Sequence, residues 1–329
     1  MAVRRVNSRG TEIPRPERGE VDEESSIANG RRGRGLGPGR PAGQTGASTP
    51  AQYLKAKVYT AEEDSRILKL YDGIRVSDVI DALDVVGLQG VTTMDRSIRP
   101  LWRDEQKLTH RIRGVALTVR LVPAQETAPR FASHAAERTW EGPEGWGPPA
   151  ELRVEGAGRG GGYGRLIRPG TILVVENNAI DNGMCGSNNA LSWTAQGLRG
   201  LVGNAVCRDT DEMIVARIPV YQNAALSPRG INQGRHWMES YNQPIVVGQV
   251  LVMPGDVIMA DNDGVAVVPR AKAEQVAEIA RWIYEDDEVK RAKIFDNAKR
   301  PRDFTVEGIK PPPPPSDKPI HTTPVWEKK

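Results

Sequence analysis

The sequence predicts an α/β fold, one mixed domain between two polar extensions. Three observations predict it. Apolar residues in the middle of the chain alternate between two-residue and 3.6-residue periods, so strands and helices interleave. Residues 1–50 are rich in Arg, Gly, Pro, Ser and Glu and show no apolar period. A second polar stretch at the C-terminus carries the run Pro311–Pro315. The chain has 329 residues, only 38% of them hydrophobic, with 34 Gly and 25 Pro. These residues concentrate at the two ends and in one internal stretch, which leaves the middle able to bury a normal core. The expected division is an extension over 1–51, a domain over 52–298 with an insertion at 123–166, and a proline-rich tail over 299–329.

Order is expected from residue 52. Thr60-Ala61-Glu62-Glu63 has the spacing of a capping box, with Ile67, Leu68 and Leu70 on the apolar side. A second helix is read from Ser77 through Leu83, stopping before Gly87. Residues 114–122 alternate and branch like a strand. Thr171–Glu176 is a further strand. A helix is predicted from Ala190 to Leu198, ending at Gly200, and then a strand over Leu201–Cys207. A short helix surrounds Met213, and a strand runs over Arg217–Tyr221. A meander follows over 244–247, 250–253, 256–260 and 265–268, punctuated by Pro254-Gly255 and Asp263-Gly264. The apolar positions Val276, Ile279, Ala280 and Ile283 predict a closing helix over 271–297.

The insertion at 123–166 contains G-x-G-x-x-G at Gly156, Gly158 and Gly161. A dinucleotide site needs a helix to follow this motif. Here Arg165 to Gly170 and then a strand follow, so a lid or an oligomer contact loop is the better reading.

The most informative region is where two strand ends meet. The strand ending at Glu176 opens into a Gly/Asn-rich loop at a helix start. The strand ending at Cys207 presents Arg208-Asp209. Ligands of α/β folds bind beyond the carboxyl ends of strands. The turn Gly186-Ser187-Asn188-Asn189 offers free backbone N–H groups for a carboxylate or phosphate. Arg208 can clamp a carboxylate with two parallel hydrogen bonds. Asp209 can ligate a hard cation that keeps its waters, or simply cap the helix that follows it. His110, His134, His236 and His321 lie far apart and form no metal-spaced motif. Cys185 is a weaker candidate nucleophile with no His near it in sequence, and Cys207 reads as packing.

Composition excludes several classes. The net charge of +3 is too small to argue for nucleic acid binding. Arg31-Arg32-Gly33-Arg34-Gly35 reads as a solvated arm. Two cysteines cannot build a disulfide framework, which favours a reducing compartment. No apolar run reaches the roughly 20 residues of a membrane span, and no apolar stretch follows Met1-Ala2-Val3-Arg4-Arg5. A cytoplasmic protein is expected.

The residues resemble a known family. Ser77-Asp78-Val79-Ile80-Asp81-Ala82-Leu83, Ile98-Arg99-Pro100-Leu101 and Gly114–Val119 are similar to its first three blocks. Gly200–Glu212, with Gly203 and Arg208-Asp209, resembles its most specific block. Ile218-Pro219-Val220-Tyr221 and Val252–Pro269 complete the order. This is the RraA-like family, which joins the regulator of ribonuclease E activity A to the class II 4-hydroxy-4-methyl-2-oxoglutarate and 4-carboxy-4-hydroxy-2-oxoadipate aldolases. The resemblance covers roughly residues 72–297.

The resemblance implies a three-layer α/β/β domain, homotrimers or homohexamers, and active sites between subunits. In its aldolase branch the Arg binds a substrate carboxylate and the Asp holds a divalent metal, Mg²⁺ or Mn²⁺. Loop N–H groups hold the pyruvyl carboxylate. Here these map to Arg208, Asp209 and the run Gly186, Ser187, Asn188 and Asn189. The expected function is a metal-dependent lyase, an aldolase or decarboxylase, acting on a small 2-oxo acid. The metal acts as a Lewis acid toward the enolate that forms when a C–C bond breaks. The chain departs from the aldolases in the loop, where Ser187 and Asn188 are neutral and an acid is usual, and in the 123–166 insertion. These departures keep two alternatives in view: a non-catalytic regulator or binding protein, and a different lyase or hydrolase on the same scaffold.

Overall fold

Thr60 opens the first helix, α1 (Ala61–Leu70), through a complete capping box. Its hydroxyl accepts from Glu63 N–H at 3.2 Å while the Glu63 carboxylate accepts from Thr60 N–H at 2.7 Å. Asp78 caps α2 (Val76–Val85) from within its first turn, accepting from Arg75 N–H at 3.0 Å. That helix starts one residue earlier than the sequence reading because Asp78, and not Ser77, supplies the cap. The computed structural model describes residues 54–125, 131–133, 135–136, 162–177, 183–226 and 236–309. The basic arm, the proline run and the glycine motif at 156–161 lie outside the described residues.

The strands are β1 (Ile98–Pro100), β2 (Ile112–Pro123), β3 (Thr171–Asn177), β4 (Leu198–Gly203), β5 (Val220–Asn223), β6 (His236–Tyr241), β7 (Ile245–Val247), β8 (Val250–Val252), β9 (Val257–Asp261) and β10 (Gly264–Val268). One sheet runs in the order β1-β5-β4-β3-β2-β9-β10. β2 to β5 pair in parallel, and the flanking strands pair antiparallel. The first residues of β2 pair with β9 and its last with β6. β7 and β8 form a separate hairpin. The remaining helices are α3 (Ser187–Ala195), α4 (Thr210–Val215) and α5 (Ala273–Asn297).

The side chains of β3 show how the layers are made. All seven of its residues are buried, as a central parallel strand requires. Ile172 and Val174 point into one cluster with Ile245, Val247, Val250 and Val252 of the hairpin. Leu173 and Val175 point into another with Ala190 of α3 and Met213 of α4. A third cluster packs α1, α2 and α5 on β9 and β10. Each fully buried Val, Leu or Ile contributes about 1.5–3 kcal/mol, so this strand is the mechanical centre of the domain. The result is a mixed α/β domain, as the sequence predicts.

Two ion pairs of one buried carboxylate tie α1 to the rest. Asp64 is 3% exposed and accepts from Arg168 at 2.5 Å and from Arg270 at 2.7 Å. Removing one partner of such a buried group costs about 3–5 kcal/mol.

One boundary differs from the sequence reading in a way that matters for the site. α3 starts at Ser187 and ends at Ala195, three residues earlier at each end. Its stop is Gly197, at φ +105°, where a Cβ would sit 2.6 Å from Pro169 Cα. Gly200 lies inside β4 instead. A Cβ there would meet the Pro219 carbonyl at 2.8 Å, so its glycine serves close strand packing.

Candidate functional site

β4 ends at Gly203, and the chain continues through an isolated parallel bridge between Val206 and Gly183. Two backbone hydrogen bonds extend this register. Met184 N–H donates to Val206 C=O at 2.7 Å, and Arg208 N–H donates to Cys185 C=O at 2.9 Å. The segment 183–186 and the segment 206–209 are thereby held side by side beyond the carboxyl ends of the parallel strands, where α/β folds place their ligands.

The chain then turns sharply. Asp209 has φ +54° and ψ +46°, a left-handed conformation that Asp tolerates better than most residues. It occupies the N-cap position of α4, yet its side chain makes no hydrogen bond to that helix. The turn directs the carboxylate to the start of the other helix, α3. Asp209 Oδ2 accepts from Ser187 N–H at 3.0 Å and lies 3.4 Å from Ser187 Oγ. The helix-cap reading of Asp209 therefore changes its target: the group caps α3 across 22 residues of sequence, and not the helix it precedes. Among the described residues, Asp209 Oδ1 has no hydrogen-bond partner.

Two glycines make the approach feasible. A Cβ on Gly186 would sit 2.5 Å from Asp209 Oδ2. A Cβ on Gly183 would sit 2.5 Å from Arg208 Cγ and 2.8 Å from Cδ. The Arg208 stem thus lies across Gly183, and its half-buried side chain has no ion-pair partner among the described residues. Gly183 is a site residue that the sequence reading passed over; its signal is the Gly-x-x-Gly spacing to Gly186.

The turn Gly186–Asn189 lies where the sequence puts it, with a qualification. Gly186 is the N-cap of α3, and Ser187, Asn188 and Asn189 form its first turn, which carries no acid. The Ser187 N–H is already taken by Asp209. The N–H groups of Asn188 and Asn189, both exposed, have no intrahelical acceptor and remain available to a ligand. A helix N-terminus with two such groups favours an anion.

The other sequence candidates fall away. Cys185 is buried, and its Sγ lies 3.8 Å from Cys207 Sγ. The contact with Cys207 and burial push the Cys185 thiol well above its ordinary range, so it is not a nucleophile at neutral pH. His236 is buried on β6, and burial lowers its pKa to about 4. His110 is 1% exposed, and its Nδ1 accepts from Asp104 N–H at 3.0 Å. His134 and His321 lie outside the described residues. Glu176, one residue before the end of β3, faces the hairpin side. It accepts from Arg120 Nε and from Val246 N–H, each at 2.9 Å. It is a buried strut, turned away from Arg208 and Asp209.

The residues suit a hydrated hard cation. A single exposed carboxylate with one oxygen unengaged, beside a serine hydroxyl, is a donor set for an ion such as Mg²⁺ that keeps most of its waters. Among the described residues, no three His, Cys, Asp or Glu side chains cluster as an all-protein cage.

Comparison with known proteins agrees with this architecture. Residues 162–267 match the RraA-like family, described as Aldolase/RraA. A protein of Halalkalibacterium halodurans named "Putative 4-hydroxy-4-methyl-2-oxoglutarate aldolase" is 26% identical over 144 residues, 44% of this chain and 67% of that protein. Protein DlpA of Legionella pneumophila is 23% identical over 201 residues, 61% of this chain. The chain spans only 27% of the length of that second relative. The crystal structure of Streptomyces coelicolor RraAS2, described as an unusual member of the RNase ES inhibitor RraA protein family, superimposes with a TM-score of 0.52 at 20% identity, covering 69% of this chain and 96% of that one. The match over residues 162–267 and the shared fold make this chain similar to RraA-like proteins.

Proposed function

We propose that the chain is a divalent-metal-dependent lyase, an aldolase or decarboxylase that breaks a C–C bond in a small 2-oxo acid. The observation that carries this reading is the left-handed turn at Asp209, which fixes one carboxylate oxygen on Ser187 and leaves the other exposed beside the unpaired Arg208. The aldolase name of the Halalkalibacterium relative supports it.

In this reading Asp209 and water hold Mg²⁺ or Mn²⁺, which supplies Lewis acidity toward the 2-oxo acid when bound. Ser187 N–H keeps the Asp209 carboxylate in one orientation. The N–H groups of Asn188 and Asn189 orient the carboxylate next to the keto group, and the N-terminus of α3 favours the negative charge that develops there. Arg208 binds a second carboxylate with its planar fork. Ser187 and Asn188 cannot accept the substrate proton, so the acceptor would be a water or an acid of another subunit in a homotrimer or homohexamer with shared sites. A cytoplasmic location goes with this reading. Among the described residues, no helix is long and apolar enough to cross a membrane.

The test is pyruvate release from 4-hydroxy-4-methyl-2-oxoglutarate and from oxaloacetate, with and without Mg²⁺ or Mn²⁺. Turnover that requires the metal supports the proposal. No turnover of either acid at any metal concentration overturns it.

A second reading is a binding protein without catalysis, favoured by the acid-free first turn of α3. Capture of the same partner by the full chain, and not by a truncated chain of residues 52–300, would assign that role to the tails. If neither captures a partner, this reading fails.

A further inference from the structure

A second basic cluster lies at the opposite end of the sheet. Arg111 and Arg113 flank Ile112 at the start of β2, and Arg199 is the second residue of β4. They border one cavity of 110 Å³ together with Val76 at the start of α2 and Asp261 at the end of β9. We propose that these three arginines form a binding site for a phosphoryl group, separate from Arg208 and Asp209.

The three arginines border one cavity, and two of them are unpaired among the described residues. Arg113 pairs with Asp72 at 2.8 Å, on an exposed carboxylate. Arg111 and Arg199 are exposed and have no ion-pair partner among the described residues. Arg199 is the one exposed residue of β4, whose other five are buried. The opposing charge in the cavity is Asp261, and its two oxygens are already engaged. One accepts from Val76 N–H at 3.1 Å and the other from Asp263 N–H at 2.8 Å. The start of α2 adds no free donors of its own at Arg75 and Val76, since Asp78 and Asp261 take both N–H groups. The attraction therefore comes from the guanidinium groups.

Donor geometry selects the ligand. A guanidinium fork matches two phosphate oxygens, and three forks need more acceptors than a planar carboxylate has. The floor beneath the arginines is apolar and buried, made by Tyr71, Val76 and Ile112. The ligand is either free phosphate or the phosphoryl end of a small metabolite. β4 alone separates the two sites: from Arg199 to Gly203 at about 3.3 Å per residue is roughly 13 Å, and Arg208 lies further on.

The test is calorimetric titration of the full chain with inorganic phosphate at low ionic strength. Glycerol phosphate is titrated in parallel, with acetate as the planar control. We expect one phosphate per chain. Affinity should fall at least tenfold in Arg199→Gln and in Arg111→Gln and stay unchanged in Arg208→Gln. Both arginines are exposed and unpaired, so unchanged melting without phosphate verifies that the variants fold. Tighter binding of glycerol phosphate assigns the site to a phosphorylated metabolite, and tighter binding of inorganic phosphate assigns it to the free ion. The proposal is overturned by no binding at millimolar phosphate, by equal affinity for acetate, by full affinity in the Arg199→Gln, Arg111→Gln double variant, or by loss in Arg208→Gln.

Discussion

The Asp209 carboxylate accepts from the backbone N–H of Ser187 at 3.0 Å, joining the start of α3 to the start of α4. One side chain thus serves the fold and, in the proposed lyase, the metal site, and substitutions can separate the two roles. Asparagine keeps an oxygen for Ser187 and tolerates the left-handed backbone, but it loses the charge. Asp209→Asn should melt close to the wild type while Mg²⁺ or Mn²⁺ affinity falls at least tenfold. Asp209→Ala removes the cap as well and should cost about 1 kcal/mol of stability. Calorimetric metal titration and thermal melts on both variants decide the matter. Equal metal affinity in wild type and both variants would remove Asp209 from a metal site.

Gly186 tests the same relationship from the other side. Its φ of −101° suits any residue, so no backbone strain attends a substitution. The obstacle is contact, since a Cβ would sit 2.5 Å from Asp209 Oδ2. Gly186→Ala should fold, move the carboxylate off Ser187, and weaken metal binding as Asp209→Asn does. Wild-type metal affinity in Gly186→Ala would show that the site tolerates displacement of the carboxylate.

Much of the fold was legible because local signals and burial agree. The capping box at Thr60 and the period of α5 announce themselves in sequence. The α3–β4 boundary was not legible. Gly197 and Gly200 both look like helix stops, and only the tertiary contacts with Pro169 and Pro219 assign them to a stop and a strand. Arg208 and Asp209 could be picked out at a strand end. The direction of the Asp209 side chain could not, because it depends on a left-handed φ and on Gly186, more than twenty residues upstream. Arg111, Arg113 and Arg199 passed unnoticed for a similar reason: they meet only through the sheet order.

Two buried groups set opposing pH dependences. Burial raises the Asp256 pKa to about 6, above its ordinary value of 3.8. The native state then holds this proton more tightly than the unfolded chain, so Asp256 lowers stability as pH rises from about 4 to 6. Burial lowers the His236 pKa to about 4 from 6.5. The unfolded chain holds that proton more tightly, so His236 raises stability over about pH 4 to 6.5. At about 1.36 kcal/mol per pH unit, each effect is on the order of 3 kcal/mol and they largely cancel. Asp256→Asn should therefore gain stability with rising pH across this window more steeply than the wild type, and His236→Gln should lose it. The slopes carry the test, because Asp256 also accepts from Met253 and Arg270 N–H and its replacement shifts absolute stability. Parallel slopes in all three proteins, from denaturant unfolding at several pH values, would refute the assignment.

Arg208→Lys tests whether the unpaired guanidinium is a substrate clamp. The Arg208 stem is held by contact with Gly183, so the head is presented from a fixed base. Lysine keeps the charge but offers a point donor in place of a planar fork. Losing one charge-assisted hydrogen bond costs about 1.5–3 kcal/mol. If the bond is equally strong in the ground and transition states, KM should rise about ten- to a hundredfold with kcat little changed. If it strengthens as the C–C bond breaks, kcat should fall instead. Steady-state kinetics on the turned-over 2-oxo acid separates these cases. The Arg208→Lys variant should retain wild-type metal affinity in either case, since Asp209 and its bond to Ser187 are untouched. Wild-type kinetics in a folded Arg208→Lys protein would make the guanidinium a surface group and would leave the lyase proposal without its carboxylate clamp.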